Sequence, residues 1–178
     1  MPPPKTSEPF RKELNNVNAV QESLSPELEE TPETEPAETA ESRKYLIFIS
    51  DDLKLGVDAE YVVEILNNHS ATYLPMTPAY IRGIFNMRGQ IIPVLDIRLR
   101  LGKEPLERES LLVVLNFAHT QVGILVDAVD QMIEIPTGSI LPMPSQSTQR
   151  LVSGMCSIPD GSGTMLVLDC AQLLDHES

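Results

Sequence analysis

An internal repeat with a period of about 70 residues constrains the fold of this chain more than any other feature. Leu55-Gly56-Val57 recurs as Val122-Gly123-Ile124, and Leu74-Pro75-Met76 recurs as Leu141-Pro142-Met143. Between turn signals the chain holds about ten short strands and three or four helical turns, a pattern typical of small barrels or sandwiches. The repeat therefore predicts an all-β fold with short helices, built as two similar small barrels that pack against each other.

The densest part of the first copy is the string YIRGIFNMRGQIIPVLD at residues 80–96, which predicts two strands joined at Arg88-Gly89-Gln90. Gly83 interrupts the first strand, and a glycine inside a strand usually marks a bulge or a close backbone approach. Residues 90–95 are apolar at nearly every position, as expected of a strand that is buried on both faces. Pro93 cannot donate a ladder hydrogen bond, so we expect an edge strand or a bulged strand here, open to pairing with another chain.

The composition limits the classes of partner and the number of domains. The 178 residues suffice for one ordinary domain or two small lobes, and 26 acidic residues against 13 basic ones give a net charge of −13. This balance argues against binding to nucleic acid or to acidic membranes. Cys156 and Cys170 lie in apolar strings, which favours two small buried side chains over a disulfide. No apolar run reaches the ~18 residues of a membrane span, so a soluble intracellular protein is expected.

Residues 1–42 differ from the rest of the chain, because they hold ten Glu, three basic residues and seven of the fifteen prolines. Such a segment cannot bury enough apolar surface to offset its loss of conformational entropy, so we expect a disordered acidic tail. Within it, residues 10–28 could form a transient helix on a partner, although a solubilising tail is the simpler interpretation. The folded domain is expected at 43–178, with approximate lobes at 43–105 and 106–178 that could exchange terminal elements.

Catalytic and metal-binding patterns are missing from the sequence. The histidines His69, His119 and His176 have no second ligand at metal-binding spacing, and G-x-S-x-G, P-loop and G-x-G-x-x-G strings do not occur. Asp96 and Asp169 follow apolar strands and precede short helices, which is the position of a helix N-cap. We therefore expect a protein that is not an enzyme and uses neither a metal nor a cofactor.

A groove between the two lobes would be the natural docking place for a partner. Where the first copy has Asn86-Met87-Arg88-Gly89, the second has the ordinary turn Ser157-Ile158-Pro159-Asp160-Gly161, so the fold does not require Arg88. Arg88 is then either an interface hot spot or a surface arginine at a turn. The same choice, groove or core, applies to a set of apolar residues: Met76, Met87, Met132, Met143, Met155, Val62, Ile65, Leu112 and Val129.

The strings LPMTPAYIRGIFNMRGQIIPVLD at residues 74–96 and VGILVDAV at 122–129 closely resemble the CheW family of bacterial chemotaxis adaptors. The resemblance extends from Tyr45 to Leu174. It implies a non-catalytic scaffold of two SH3-like five-stranded barrels that couples the cytoplasmic tip of chemoreceptors to a CheA-type histidine kinase, whose regulatory domain is similar to CheW. It further implies a protein that is monomeric when isolated, does not insert into the membrane, and is recruited from the cytoplasm to receptor arrays at the inner face of the membrane.

Position by position, the resemblance places Arg88 at the receptor-facing groove of the family. The other positions carried over to that groove are Val62, Glu64, Ile65, Gly83, Asn86, Met87, Leu112 and Val129. Three alternatives stay open: a CheW-type adaptor of a pilus or gliding pathway, a barrel that binds a small ligand between its lobes, and a homodimeric structural protein that pairs through its edge strands.

Overall fold

The structure is a computed structural model, which describes residues 41–105, 110–144 and 150–175. The expected acidic tail therefore lies almost entirely outside the described residues. Single 3₁₀ turns occupy Ala59–Tyr61 and Thr137–Ser139. The strands and helices are β1 (Ser42–Ser50), β2 (Leu53–Asp58), β3 (Val62–Leu66), β4 (Ile81–Met87), β5 (Gln90–Asp96), α1 (Ile97–Arg100), β6 (Leu111–Phe117), β7 (Thr120–Val126), β8 (Ala128–Pro136), β9 (Leu141–Pro142), β10 (Val152–Ser157), β11 (Thr164–Leu168) and α2 (Cys170–Leu174).

The strands form two sheets, as expected for an all-β protein with two SH3-like barrels. The first barrel has the strand order β3-β6-β7-β5-β4, and the second has the order β8-β1-β2-β11-β10-β9. In each barrel all pairings are antiparallel except one: β5 runs parallel to β7, and β11 runs parallel to β2. The predicted fold class is confirmed, with the two-residue β9 as a sixth strand of the second barrel.

Each barrel combines strands from both copies of the repeat. The hairpin β1–β2 opens the first copy but lies in the second barrel, and the hairpin β6–β7 opens the second copy but lies in the first barrel. The sheets therefore do not coincide with the consecutive lobes 43–105 and 106–178, because the two opening hairpins are exchanged. Because of this exchange, the chain crosses from the second barrel to the first after β2 and returns to the second after β7.

Three clusters of buried side chains hold the molecule together. One fills the second barrel around Ile47 and Met165, and another fills the first barrel around Val114 and Leu112. The largest cluster takes residues from both sheets, with Phe48 among them, and so joins the barrels. Burying a side chain of this size contributes roughly 1.5–3 kcal/mol, so the shared cluster fixes the two barrels to each other.

The predicted bulge at Gly83 is confirmed. The pairing of β4 with β5 shifts register between Ile81 and Gly83, and Gly83 has a φ of +142°. A Cβ atom at this position would lie 2.2 Å from the carbonyl oxygen of Thr72, which pairs with Ile84 as an isolated bridge. Only glycine fits there. Gly154 is the counterpart in the second barrel, with a register shift of its own and a Cβ position 2.8 Å from the carbonyl oxygen of Leu141.

The expectation of an edge or bulged strand at Pro93 is wrong. Strand β5 lies between β4 and β7, and the register shift in its pairing with β4 falls on β4. The proline is accommodated because the parallel pairing of β5 with β7 begins only at Val94, one residue later. The missing N–H therefore falls at the end of the ladder with β7, and residues 90–93 of β5 are paired with β4 but form no ladder with β7.

The cysteines and the capping aspartates match their predictions. Cys156 and Cys170 are buried in different clusters and form no disulfide. Burial raises the pKa of the Cys156 thiol, and burial together with the nearby Asp169 raises the pKa of the Cys170 thiol to about 12. Asp96 accepts the backbone N–H of Arg98 at the start of α1, and Asp169 caps α2 in the same way.

Asp127 is the single residue between β7 of the first barrel and β8 of the second. Nε of Arg98 on α1 donates to its Oδ1 at 2.9 Å, and the backbone N–H of Asp51 donates to its Oδ2 at 2.9 Å. Lys103 in turn contacts Asp51 at 3.1 Å. This half-buried network joins the helix after β5 to the turn of β1–β2, so it braces the crossing point between the barrels.

Candidate functional site

The turn between β4 and β5 presents Arg88 to solvent. Arg88 and Gly89 have φ values of +53° and +87°, which is the backbone of a tight two-residue hairpin turn. The side chain of Asn86 supports this turn, because its Oδ1 accepts the backbone N–H of Gly89 at 3.0 Å. Asn86 is thus a residue that shapes the turn, and Arg88 is the residue that the turn displays.

The guanidinium of Arg88 reaches the neighbouring edge strand β3. Its Nη2 donates to Oε2 of Glu64 at 3.0 Å, and the side chains of Arg88 and Glu64 are 77% and 30% exposed. An ion pair this exposed contributes little to folding, typically 0–1 kcal/mol. The pair nevertheless connects β3 to the turn of the β4–β5 hairpin across the open side of the sheet, and both groups keep surface for a partner.

Apolar surface lies beside this ion pair. Ile65 follows Glu64 on β3 and is 40% exposed, and Val63 is exposed to a similar degree. Strand β3 is an edge strand of its sheet, so its outer backbone groups also face away from the sheet. An exposed arginine that is ion-paired to an edge strand with exposed aliphatic side chains has the composition of an interface for another protein.

Three of the positions expected at the groove are buried. Leu112 has no exposed surface, Met87 is 8% exposed, and both lie in the core cluster of the first barrel. Gly83 is buried under Thr72. The side chains of Leu112 and Met87 therefore belong to the core of the barrel that carries Glu64 and Arg88, and Gly83 shapes the backbone of β4; none of the three is displayed at the surface.

Val62 and Val129 are half-buried and occupy corresponding places on two edge strands. Val62 of β3 pairs with Leu115, and Val129 of β8 pairs with Phe48. Both valines pack against the core cluster that joins the barrels. They therefore mark where the two edge strands approach the shared core, at the border of the surface with Arg88.

The register of the two edge strands identifies a residue that was left out of the predicted site. Both strands carry a bulge, and beyond it Ile65 lies opposite Val113 in the first barrel as Met132 lies opposite Leu46 in the second. Met132 is 55% exposed, so it is the exposed counterpart of Ile65. The offset of 67 between Val62 and Val129 would have given this pair from the sequence alone. We define the docking face as Glu64, Ile65, Arg88 and Met132.

The second barrel repeats the contact between edge strand and hairpin turn with different chemistry. Gln131, the counterpart of Glu64, donates from Nε2 to Oδ2 of Asp160 in the β10–β11 turn at 2.8 Å. The hydrogen bonds from Gln131 and Ser162 lower the pKa of Asp160 to about 2. Lys54 also lies here and donates to Asp130 at 3.0 Å. The first barrel thus displays a cation at this place and the second displays carboxylates.

The described residues hold no group of three or more His, Cys, Asp or Glu side chains that could bind a metal ion. His69 is engaged through Nε2 with the backbone oxygen of Ser110 at 2.9 Å, and His119 lies in the β6–β7 turn. In the same part of the chain, no helix combines the length and hydropathy needed to cross a bilayer.

Comparison with known proteins gives concordant matches. A protein-family model described as a CheW-like domain matches residues 44–178. The "Chemotaxis protein CheW" of Klebsiella aerogenes is 28% identical over 140 residues, which cover 76% of this chain and 83% of that protein. "Protein FrzA" of Myxococcus xanthus is 34% identical over 111 residues, covering 61% and 69%. The crystal structure of the scaffolding protein TtCheW from Thermoanaerobacter tengcongensis superposes with a TM-score of 0.67 at 30% identity, covering 72% of this chain and 90% of that one.

Proposed function

The chain belongs to the CheW family, and on that basis we propose that it couples the cytoplasmic helical tip of chemoreceptors to a CheA-type histidine kinase. The protein acts as a non-catalytic adaptor in chemotaxis signal transduction and works at receptor arrays on the inner face of the membrane. The observation that carries the proposal is the exposed Arg88–Glu64 pair, which joins an edge strand with exposed aliphatic side chains to a turn that the second barrel builds without an arginine.

The receptor would dock on the face formed by Glu64, Ile65, Arg88 and Met132. A receptor tip is helical, and a helix offers an apolar stripe for Ile65 and Met132 together with polar groups for Arg88. The buried Leu112 and Met87 keep β6 and β4 in place beneath this face. Gly83 and Asn86 fix the shape of the strand and of the turn that carry Arg88. The nine predicted positions thereby divide into residues that would touch the receptor and residues that would shape the face.

An adaptor of a pilus or gliding pathway is the second candidate. The similarity to FrzA of Myxococcus xanthus fits such a use, and the docking face would serve it equally well. The two candidates differ in the receptors and the kinase that are recruited, and both require a face for a helical receptor. The barrel that binds a small ligand is disfavoured, because the docking face is open and carries one exposed ion pair in place of converging polar groups.

The proposal is tested by affinity capture from native cytosol with the tagged full-length chain and its Arg88→Ala variant. We expect both proteins to recover a CheA-type kinase, and only the unmodified chain to recover chemoreceptors. The identity of the recovered kinase separates a flagellar pathway from a pilus or gliding pathway. Recovery of neither partner by the unmodified chain would refute the adaptor function.

A further inference from the structure

A cleft opens between β5 and β7 at the turn end of the first barrel. The two strands pair only from Val94 and Gly123 onward, so residues 90–93 and 120–122 form no ladder with each other. The cleft between them has a volume of about 590 Å³ and is lined by residues 90–93 and 119–121 together with Asn116. It does not include Glu64, Ile65, Arg88 or Met132, so it is separate from the docking face.

Pro93 is the cause of the opening. The backbone N–H of Asp96 donates to Tyr80 on the β4 side at 2.7 Å. Since N–H directions alternate along a strand, an N–H at position 93 would point toward β7. Proline has none, so the parallel ladder cannot continue past Val94. The facing backbone edges of β5 and β7 therefore have no strand partner inside the cleft.

In the second barrel the parallel ladder begins one residue earlier at the same place. Val167 pairs with Gly56 there as Val94 pairs with Gly123 in the first barrel, so Leu166 is the counterpart of Pro93. Leu166 pairs with Leu55, which extends the parallel ladder by one residue. The repeated fold thus allows a ladder pair at the position where the first barrel has Pro93 and none.

The side chain of the next residue on β7 gives a second, independent observation. Oε1 of Gln121 is shielded from solvent and has no hydrogen-bond partner among the described residues. Leaving such an acceptor unsatisfied destabilises the protein, because its lost hydration is not replaced. Its counterpart in the second barrel is Lys54, whose Nζ reaches Asp130 at 3.0 Å and Ser162 at 3.3 Å and so bridges the corresponding gap. At this position the first barrel thus has a side-chain amide oxygen without a partner, where the second barrel has an amine with two partners.

We propose that this cleft binds an extended, uncharged segment of a partner protein as an inserted β-strand between β5 and β7. The open backbone edges of both strands would pair with the backbone of the segment, as in other cases of strand addition. Ile91, which is 65% exposed, offers contact to one apolar side chain, and Gln121 accepts a hydrogen bond from a side-chain or backbone donor.

The lining of the cleft restricts the chemistry of the segment. It contains no Asp, Glu, Lys or Arg side chain, although the chain as a whole carries a net charge of −13. A charged side chain inserted there would lose hydration without gaining a counterion. At a rise of about 3.3 Å per residue, four residues of β5 accommodate a strand of three or four residues. The binding of this segment would be independent of the docking face and adds a second contact to the proposed adaptor.

The test uses the full-length chain and an array of uncharged, acetylated and amidated hexapeptides that are rich in β-branched residues. A peptide selected from the array is then titrated by fluorescence anisotropy. Pro93→Leu, which introduces the residue of the second barrel, should close the cleft and weaken binding by at least tenfold. Gln121→Leu should weaken binding about threefold to tenfold, and Arg88→Ala should leave it within twofold.

Amide hydrogen exchange locates the bound peptide. We expect slower exchange at the amides of Ile91 and Gln121, which point into the cleft, and an unchanged rate at the amide of Ile65. Failure of the array to yield any binding peptide would overturn the proposal, as would a bound peptide that leaves both cleft amides unprotected. Loss of peptide binding in Arg88→Ala would place the segment on the docking face instead. These results are independent of receptor recovery, so either proposal can fail alone.

Discussion

Replacement of Arg88 by alanine separates recognition from folding at the docking face. The side chain is 77% exposed and its ion pair with Glu64 lies at the surface, so its removal should lower the free energy of unfolding by no more than about 1 kcal/mol. For a chain of this size, 1 kcal/mol corresponds to a shift of about 2–4 °C in the melting temperature. We therefore expect Arg88→Ala to melt within a few degrees of the unmodified protein.

Binding to a receptor should respond much more strongly. An arginine at the centre of an interface typically contributes 1–3 kcal/mol or more on truncation, which corresponds to an increase in Kd of about five- to 150-fold. The assay is isothermal titration calorimetry with a soluble fragment of a chemoreceptor tip, carried out beside thermal melting. Arg43→Ala is the matched control, because Arg43 is also exposed and forms one ion pair, with Asp58 at 3.4 Å.

We expect Arg88→Ala to raise the receptor Kd strongly while changing the melting temperature little, and Arg43→Ala to change neither quantity much. A receptor Kd within twofold of the unmodified value would show that Arg88 is only a surface arginine at a turn. A fall in the melting temperature of more than 10 °C would show that Arg88 has a structural role, contrary to the exposure of its ion pair. Equal loss of binding in Arg43→Ala would show that the effect is one of net charge.

Three further predictions concern the backbone, a carboxylate and the cysteines. Gly83→Val should unfold or distort the first barrel and alter its circular dichroism, because a Cβ atom at this position would lie 2.2 Å from the carbonyl oxygen of Thr72. Gly89→Ala is the matched control: the space around Gly89 is open, so only left-handed backbone strain should lower the free energy of unfolding, by about 1–2 kcal/mol. Gln131→Leu should raise the pKa of Asp160 from about 2 toward its usual value, and NMR titration of Asp160 should show this upward shift. A carboxyl group with a lowered pKa stabilises the fold above about pH 4, and this stabilisation is lost as the pH falls toward 2. An unchanged titration would refute the contact. Cys156 and Cys170 should resist alkylation at pH 8 in the folded protein and react fully in guanidinium chloride; mass spectrometry that finds either one labelled under native conditions would contradict their burial.

The sequence predicted the elements that local chemistry determines. The bulge at Gly83, the turn at Arg88-Gly89 and the N-cap at Asp96 each depend on residues within a few positions of one another. The repeat predicted two similar barrels, because matching strings at equal spacing require matching local structures. These features could be inferred without knowing which strands pair over long distances.

The position of β5 could not be inferred in the same way. Pro93 excludes one hydrogen bond. Whether that bond is needed depends on where β5 begins to pair with β7, which happens at Val94 and Gly123, two residues that lie 29 positions apart in the sequence. The choice between groove and core for Leu112 and Met87 stayed open in the sequence for a related reason. Strands that are buried on both faces show no alternation of apolar and polar residues, so the pattern does not tell which side chains reach the surface.

Because the fold is internally repeated, each position in one barrel can be compared with the equivalent position in the other. Positions that agree, such as Gly83 and Gly154 or the caps Asp96 and Asp169, are those that the common architecture requires. Where the copies differ at equivalent places, the architecture accepts both residues, and the choice must reflect something outside the barrel. The differences fall at one end of the first barrel.

Three such differences carry the functional argument. The pair Glu64–Arg88 stands where the second barrel has Gln131–Asp160, which exchanges an exposed cation for a carboxylate. Pro93 stands where the second barrel continues its ladder, and the orphaned oxygen of Gln121 lies beside it. The first difference keeps a hydrogen bond and changes the charge that is displayed, the second moves the point where the parallel ladder begins, and the third leaves a side-chain oxygen without a partner among the described residues. A first barrel that differs in these ways at its surface, while its core matches that of the second barrel, is one whose surface is arranged for partners.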